Sequence, residues 1–256
     1  LLLYPIALTP SSLKPGVVFV DPHSHLMTLV AMDERGDDDT SHLLAVDGQP
    51  DGTIAIKRFW RGTFIFDESD HHVGAGFKAF RPLTKGTHGS KALSNAELED
   101  HPIRPFSMAQ QAMSPEAFYD AIESVLNEGQ RNPELAYFEA HEALLNLLEY
   151  RVTAIGAGEQ AHAERQGRVI QMPKGQKIFQ SQGAWESFST PCRDLRLLLA
   201  MDAIRDFPAR AARQSERFTK ESNVSDQELV EHLTMLHATW AEDMSFEYFK
   251  SNGERK

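Results

Sequence analysis

The chain has 256 residues, 41% of them hydrophobic, enough for a sizeable core in one large domain or two modest ones. Its 37 acidic against 26 basic side chains leave a formal net charge of −11, which excludes nucleic acid held by bulk electrostatics. The single cysteine excludes a disulfide framework and leaves the compartment open, and no apolar run approaches the roughly 18 residues of a membrane helix, so a soluble chain without a span is expected.

The chain begins at Leu1, with no basic region before its short apolar start, and reads as a processed chain or a fragment of something longer. From Val17 to Phe80, short apolar runs alternate with turn residues, the pattern of consecutive strands. Gly16 to Val20 is the first run, stopped by Asp21-Pro22. His25 to Met32 is the second, with Leu26, Met27, Leu29 and Val30 apolar on both faces, as in a central buried strand. Asp33 to Asp39 is expected to be a solvated turn, Leu43 to Val46 a third strand, and the Gly-, Pro- and Asp-rich run from Asp47 to Gly52 a tight reversal. Ile54 and Ile56 alternate with Ala55 and Lys57 in a fourth strand, and Gly76 to Phe80 closes the series.

The polar stretch from Thr84 to Arg104 is the candidate linker, which sets the expected organisation: a β-rich segment over 1–83, a linker over 84–112 and a helical region over 113–256. Ser114-Pro115 opens a helix with Phe118, Ile122, Val125 and Leu126 on one stripe. Asn132-Pro133 opens a second, carrying Leu135, Phe138, Leu145, Leu148, Val152 and Ile155. Thr190-Pro191 opens a third, with Pro208 beyond its end, and Ser225 to Glu228 is a capping box for a fourth with Leu229, Leu233, Leu236 and Trp240 inward. Arg168 to Ser189 reads as an ordered loop. The fold class expected is α+β.

Leu13-Lys14-Pro15-Gly16, then an apolar strand, a turn and a histidine opening the next strand, resembles the core of NlpC/P60 and related papain-like cysteine peptidases and amidases. The resemblance covers about Leu13 to Pro50. It implies a papain-like antiparallel sheet, with His25 as the base on the catalytic-histidine strand and Asp47 on the next strand as its orienter. It also implies a peptide or peptidoglycan substrate, and with that a periplasmic or extracellular location. A histidine fixed on a strand takes a thiol proton while a carboxylate on the neighbouring strand holds its other nitrogen. Val17 stands where that family has Asp, and Ser24 where it has Gly.

The family's nucleophilic cysteine precedes this segment, and nothing upstream of Leu13 supplies one. Three alternatives stand: a cysteine in a missing N-terminal part, a non-catalytic binding or structural relative, or Cys192 serving from the helical half as in a circular permutation. Thr190-Pro191-Cys192-Arg193 puts this thiol in the first turn of a helix, where the dipole and Arg193 lower a thiol pKa. A small core thiol is the ordinary account of the same residue. No cofactor is expected on this reading.

Asp21-Pro22-His23-Ser24-His25 also resembles the "D-x-H-x-H" strand end of metal-dependent amidohydrolases, which makes His23 and His25 alternative metal ligands. That family's barrel alternates strands and helices over about 250 residues after the motif, whereas here strands crowd the first third. His71 and His72 are expected to be solvated loop residues. Glu139, His141 and Glu142 read as a solvated helix face, and Asp194 and Asp202 as surface partners of Arg193, Arg196 and Arg205. Trp185 to Pro191 reads as an aromatic loop stapled to the helices.

Overall fold

A computed structural model describes residues 2–22, 25–33, 41–48, 54–67, 74–86, 89–102, 104–127, 129–165, 174, 191–220, 224–243 and 254–255. An antiparallel sheet at the N-terminus is followed by helices. Its strands are β1 (Leu3–Pro5), β2 (Val18–Val20), β3 (Leu26–Asp33), β4 (His42–Gly48), β5 (Ile54–Arg58) and β6 (Gly76–Phe80), in the order β1-β6-β2-β3-β4-β5. Every pairing in this six-stranded sheet is antiparallel. The parallel barrel to which the amidohydrolase motif belongs is therefore not this fold.

Leu3 to Pro5 is a strand that the proline-broken N-terminal run concealed; Pro5 is tolerated because β1 lies at the sheet edge. Gln110 ties that edge down. Its amide donates to the carbonyls of Ile6 (2.6 Å) and Phe77 (3.0 Å) and its oxygen accepts from the Phe77 N–H (2.8 Å). Gly76, at φ +106°, has to be glycine, since a Cβ there would lie 2.3 Å from that same oxygen.

The strand pattern Met27, Leu29 (β3), Leu43, Ala45 (β4) and Phe19 (β2) faces one core, joined by Phe59, Phe64, Phe66 and Phe77. Helix α2 (Pro115–Leu126), capped by Ser114 on the N–H of Ala117, adds Phe118, Tyr119, Ile122 and Leu126. Phe66 and Phe118 stack with centroids 3.9 Å apart. A buried aromatic pair of this kind contributes about 1 kcal/mol beyond its area.

Two alternations run opposite to the plain hydrophobic expectation. β3 is central, yet Leu26 and Val30 are exposed, and Val30 sits at a bulge where the register with β4 shifts. On β5 the inward pair is Ala55 and Lys57, while Ile54 and Ile56 point outward. The cause is Asp47, whose carboxylate on the inward face of β4 draws Lys57 to the same side.

Residues 84–112 carry regular structure: a hairpin of β7 (Leu83–Gly86) and β8 (Gly89–Ala92), helix α1 (Asn95–Glu99) in a Ser94–Glu97 capping box, and a 3₁₀ turn (Ala109–Ala112). The remaining helices are α3 (Pro133–Glu164), α4 (Pro191–Arg205), α5 (Phe207–Arg213) and α6 (Asp226–Asp243). Pro208 lies in the first turn of α5, where its missing N–H costs nothing. Among the described residues no helix is long and apolar enough to cross a membrane.

The chain divides into two compact units, Leu1–Glu128 with Glu142–Met201, and Gly129–His141 with Asp202–Lys256. In the second, the start of α3 packs on α6 through Tyr137, His141, Leu229 and Leu233. The α3 stripe expected to be inward is largely exposed: Leu135, Phe138, Leu145, Val152 and Ile155 face out, and Ala136, Tyr137, His141 and Leu144 are buried instead. Small and aromatic side chains let this helix approach closely, which the hydrophobicity pattern alone does not report. The expected loop from Arg168 to Ser189 (Lys174 apart) and the aromatic run from Trp185 to Thr190 lie outside the described residues, as do the expected turn from Asp33 to Asp39 and the expected reversal from Asp47 to Gly52, except that Asp33 ends β3 and Asp47-Gly48 end β4.

Candidate active site

The hairpin of β2 and β3 positions His25. Val20 pairs with Leu26, and one step further the Asp21 N–H donates to the His25 carbonyl at 3.0 Å. The Asp21 carboxylate accepts the His25 backbone N–H at 2.8 Å, so the residue is held at both ends of its peptide before β3 begins.

Met27 lies directly opposite Asp47. His25, two residues earlier, is therefore the diagonal neighbour of Asp47 on the same face, at the roughly 7–8 Å separation that long side chains span. Nε2 of His25 lies 2.5 Å from Oδ1 of Asp47. The sequence reading put His25 and Asp47 on adjacent strands, and here they are diagonal neighbours in contact. Asp47 is fully enclosed, whereas the His25 side chain keeps 24% exposure. An ionised carboxylate only accepts, so Nε2 carries a proton, and in the neutral imidazole the lone pair is then on Nδ1. Among the described residues Nδ1 makes no hydrogen bond.

Lys57 is the third member, and it was not singled out from the sequence. Its ammonium pairs with Oδ2 of Asp47 from the other neighbouring strand. Burial by itself raises the Asp47 carboxyl, but the hydrogen bond from His25 and the Lys57 charge outweigh it and hold the group well below the usual carboxylate range. A lysine at an inward position of an alternating strand was the available signal.

Asp21 and Arg196 were also missed as a pair. Asp21 is buried and its second oxygen pairs with the guanidinium of Arg196 on α4. Two further contacts fix the same part of α4. Arg151 of α3 grips Asp194 with two hydrogen bonds, 2.7 and 3.0 Å, and the Ala200 methyl lies 2.8 Å from where a Cβ on Gly62 would stand. Gly62 follows the far end of β5, while Arg196 meets the chain beside His25. The helix thus runs with its N-terminal end toward the His25–Asp47 end of the sheet. Cys192 is the second residue of α4, four positions before Arg196; its side chain lies outside the described residues.

His23, His71 and His72 lie outside the described residues as well, and among the described residues no group of three His, Cys, Asp or Glu is placed to hold a metal. His141 is not on a solvated face. It is buried between Tyr137 and Trp240, with ring centroids 4.3 and 3.9 Å away, because its turn of α3 faces α6. Glu139 instead pairs with Arg131 at 2.6 Å, and Glu142 is exposed beside Arg58. A cavity of about 240 Å³ opens along β5 between Ile56, Lys57 and Arg58 and the Glu142–Tyr150 part of α3.

The arrangement can hold an imidazole in one tautomer with its other nitrogen free to take a proton. Comparison with protein-family models, with curated proteins and with solved structures found no match.

Proposed function

We propose that the chain is a cysteine-dependent acyl hydrolase of papain-like character, in permuted order, with His25 as base, Asp47 as orienter and Cys192 as nucleophile. The observation that carries this reading is the His25–Asp47 hydrogen bond, which leaves Nδ1 without a hydrogen bond among the described residues. The Arg196–Asp21 pair adds support, because it ties the helix that carries Cys192 in its first turn to the turn that holds His25. A thiol in the first turn of a helix is favoured as thiolate by the dipole.

In the reaction, Nδ1 of His25 takes the Cys192 proton and the sulfur adds to the carbonyl carbon of an amide or peptide. The tetrahedral intermediate collapses as His25 returns the proton to the leaving amine, and a thioester remains. Water, deprotonated by the same nitrogen, then releases the acid and the thiol. Peptide and peptidoglycan amides are the proposed substrates, on the resemblance of the Leu13 to Pro50 segment.

The test is the rate of Cys192 alkylation by iodoacetamide, followed by turnover of a panel of peptide and muropeptide amides. A thiol paired with a base reacts at neutral pH well above the rate of a free thiol, and His25→Ala removes that excess. Asp47→Asn is expected to lower turnover by about 10²- to 10⁴-fold. A wild-type thiol that reacts no faster than free cysteine, or turnover that survives Cys192→Ser, overturns the reading; the first result points to a non-catalytic relative.

A further inference from the structure

Asp47 is the fully enclosed carboxylate of the site, and it is flanked symmetrically. His25 reaches it diagonally from β3 and Lys57 diagonally from β5. On the same face Met27 stands directly opposite it on β3 and Ala55 directly opposite on β5, with Ala45 two residues before it on β4, and all three are buried. A larger side chain in place of Ala45 or Ala55 would crowd the path by which Lys57 reaches the carboxylate.

The chemistry of this triplet is unequal. Each carboxylate oxygen is occupied by one donor, Oδ1 by His25 and Oδ2 by Lys57. A carboxylate without surrounding water needs a countercharge. With a neutral imidazole as its one donor the carboxylate would favour the imidazolium form of His25, which is unable to act as a base. An ammonium on the second oxygen supplies the charge and also stops the carboxylate rotating about its Cβ–Cγ bond.

We propose that Lys57 is a positioning residue for the dyad: it balances the charge of Asp47 and aims Oδ1 at Nε2 of His25, so that Nδ1 is kept as the proton acceptor. This rests on the reading of His25 as base, and it adds a residue whose role is exerted wholly through Asp47.

The experiment is ¹⁵N-histidine NMR of the full chain, which reports the tautomer of His25 directly, run beside Cys192 alkylation at neutral pH. The wild type shows the Nε2–H tautomer. Lys57→Met shifts His25 toward a mixture of tautomers or the imidazolium and slows alkylation about tenfold, in the range for loss of a residue that orients another. Lys57→Arg restores both, because a guanidinium supplies the same charge.

Should Lys57→Met fail to fold with an uncompensated Asp47, Lys57→Gln removes the charge while keeping a hydrogen-bond donor for Oδ2. This variant is expected to lose the single His25 tautomer, and an unchanged tautomer in it overturns the proposal. An unchanged tautomer in folded Lys57→Met overturns the proposal. A tautomer that responds to Lys57 while Cys192 reacts only as a free thiol sustains the role of Lys57 and overturns the cysteine hydrolase instead, so the two failures are distinct.

Discussion

Arg196 on α4 is ion-paired with Asp21, the buried residue whose other oxygen holds the His25 backbone N–H. One carboxylate thus joins the helix that carries Cys192 in its first turn to the strand that begins after His25. Replacing Arg196 by Met leaves that charge buried with its strongest partner removed. Stability is expected to fall by about 2–4 kcal/mol, measured by the urea midpoint, and Cys192 alkylation is expected to slow with it. A loss below 0.5 kcal/mol, or alkylation at the wild-type rate, would mean that this pair does not hold α4.

Asp47 has a carboxyl held below its unfolded value, so the sign of its linkage is definite. Above the unfolded value of about 3.8 its contribution to stability is fully present, and it is lost as pH falls from there through the lower folded value. The difference in stability between wild type and Asp47→Asn is therefore expected to be constant from pH 7 to about 5 and to shrink below pH 4. Chemical denaturation at a series of pH values checks this, and a difference that grows on acidification contradicts it.

His141 titrates in the opposite part of the scale. Burial and the neighbouring His237 push its imidazole from 6.5 down to about 4. The unfolded chain binds this proton first, so stability is present above pH 6.5 and declines as pH falls from about 6.5 to about 4. At full extent the loss is about 3 kcal/mol. His141→Phe keeps an aromatic ring against Tyr137 and Trp240 and is expected to flatten this slope, so that the variant is the more stable protein at pH 5. Thermal melts at pH 7 and pH 5 decide it.

Lys78 on β6 is 2% exposed and, among the described residues, its ammonium has no hydrogen-bond partner. Burial lowers its pKa from 10.5 to about 8. The unfolded chain holds the proton more tightly, so between about pH 8 and 10.5 stability rises with pH. Lys78→Met fills similar volume without a charge and is expected to gain about 1–3 kcal/mol at neutral pH. A lower melting temperature in this variant would show that the ammonium is compensated.

Part of this structure is legible in the chain itself. The short apolar runs between turn residues give β2 to β6 nearly residue by residue, since period and punctuation are local properties. Ser114-Pro115 and the Ser225–Glu228 box mark the starts of α2 and α6 for the same reason, a cap being made within one turn. The proximity of His25 and Asp47 was also accessible, because neighbouring antiparallel strands leave only the register to be set.

Other features depend on groups far apart in sequence. Whether Ile56 or Lys57 faces inward is decided by a carboxylate on the next strand, and hydropathy alone favours the wrong one. The inward face of α3 is chosen by Tyr137 and His141 against α6, at the expense of larger aliphatic residues. Asp21 and Arg196 are 175 positions apart.

The sequence by itself determined that His25 opens a strand beside one bearing Asp47, since strand alternation is written in neighbouring residues. Tertiary structure alone decided that Lys57 shares that carboxylate and that the helix carrying Cys192 is tethered through Arg196 to Asp21. Both are pairings of buried charges, and such a charge takes its partner from whatever the fold brings within reach, at any distance along the chain.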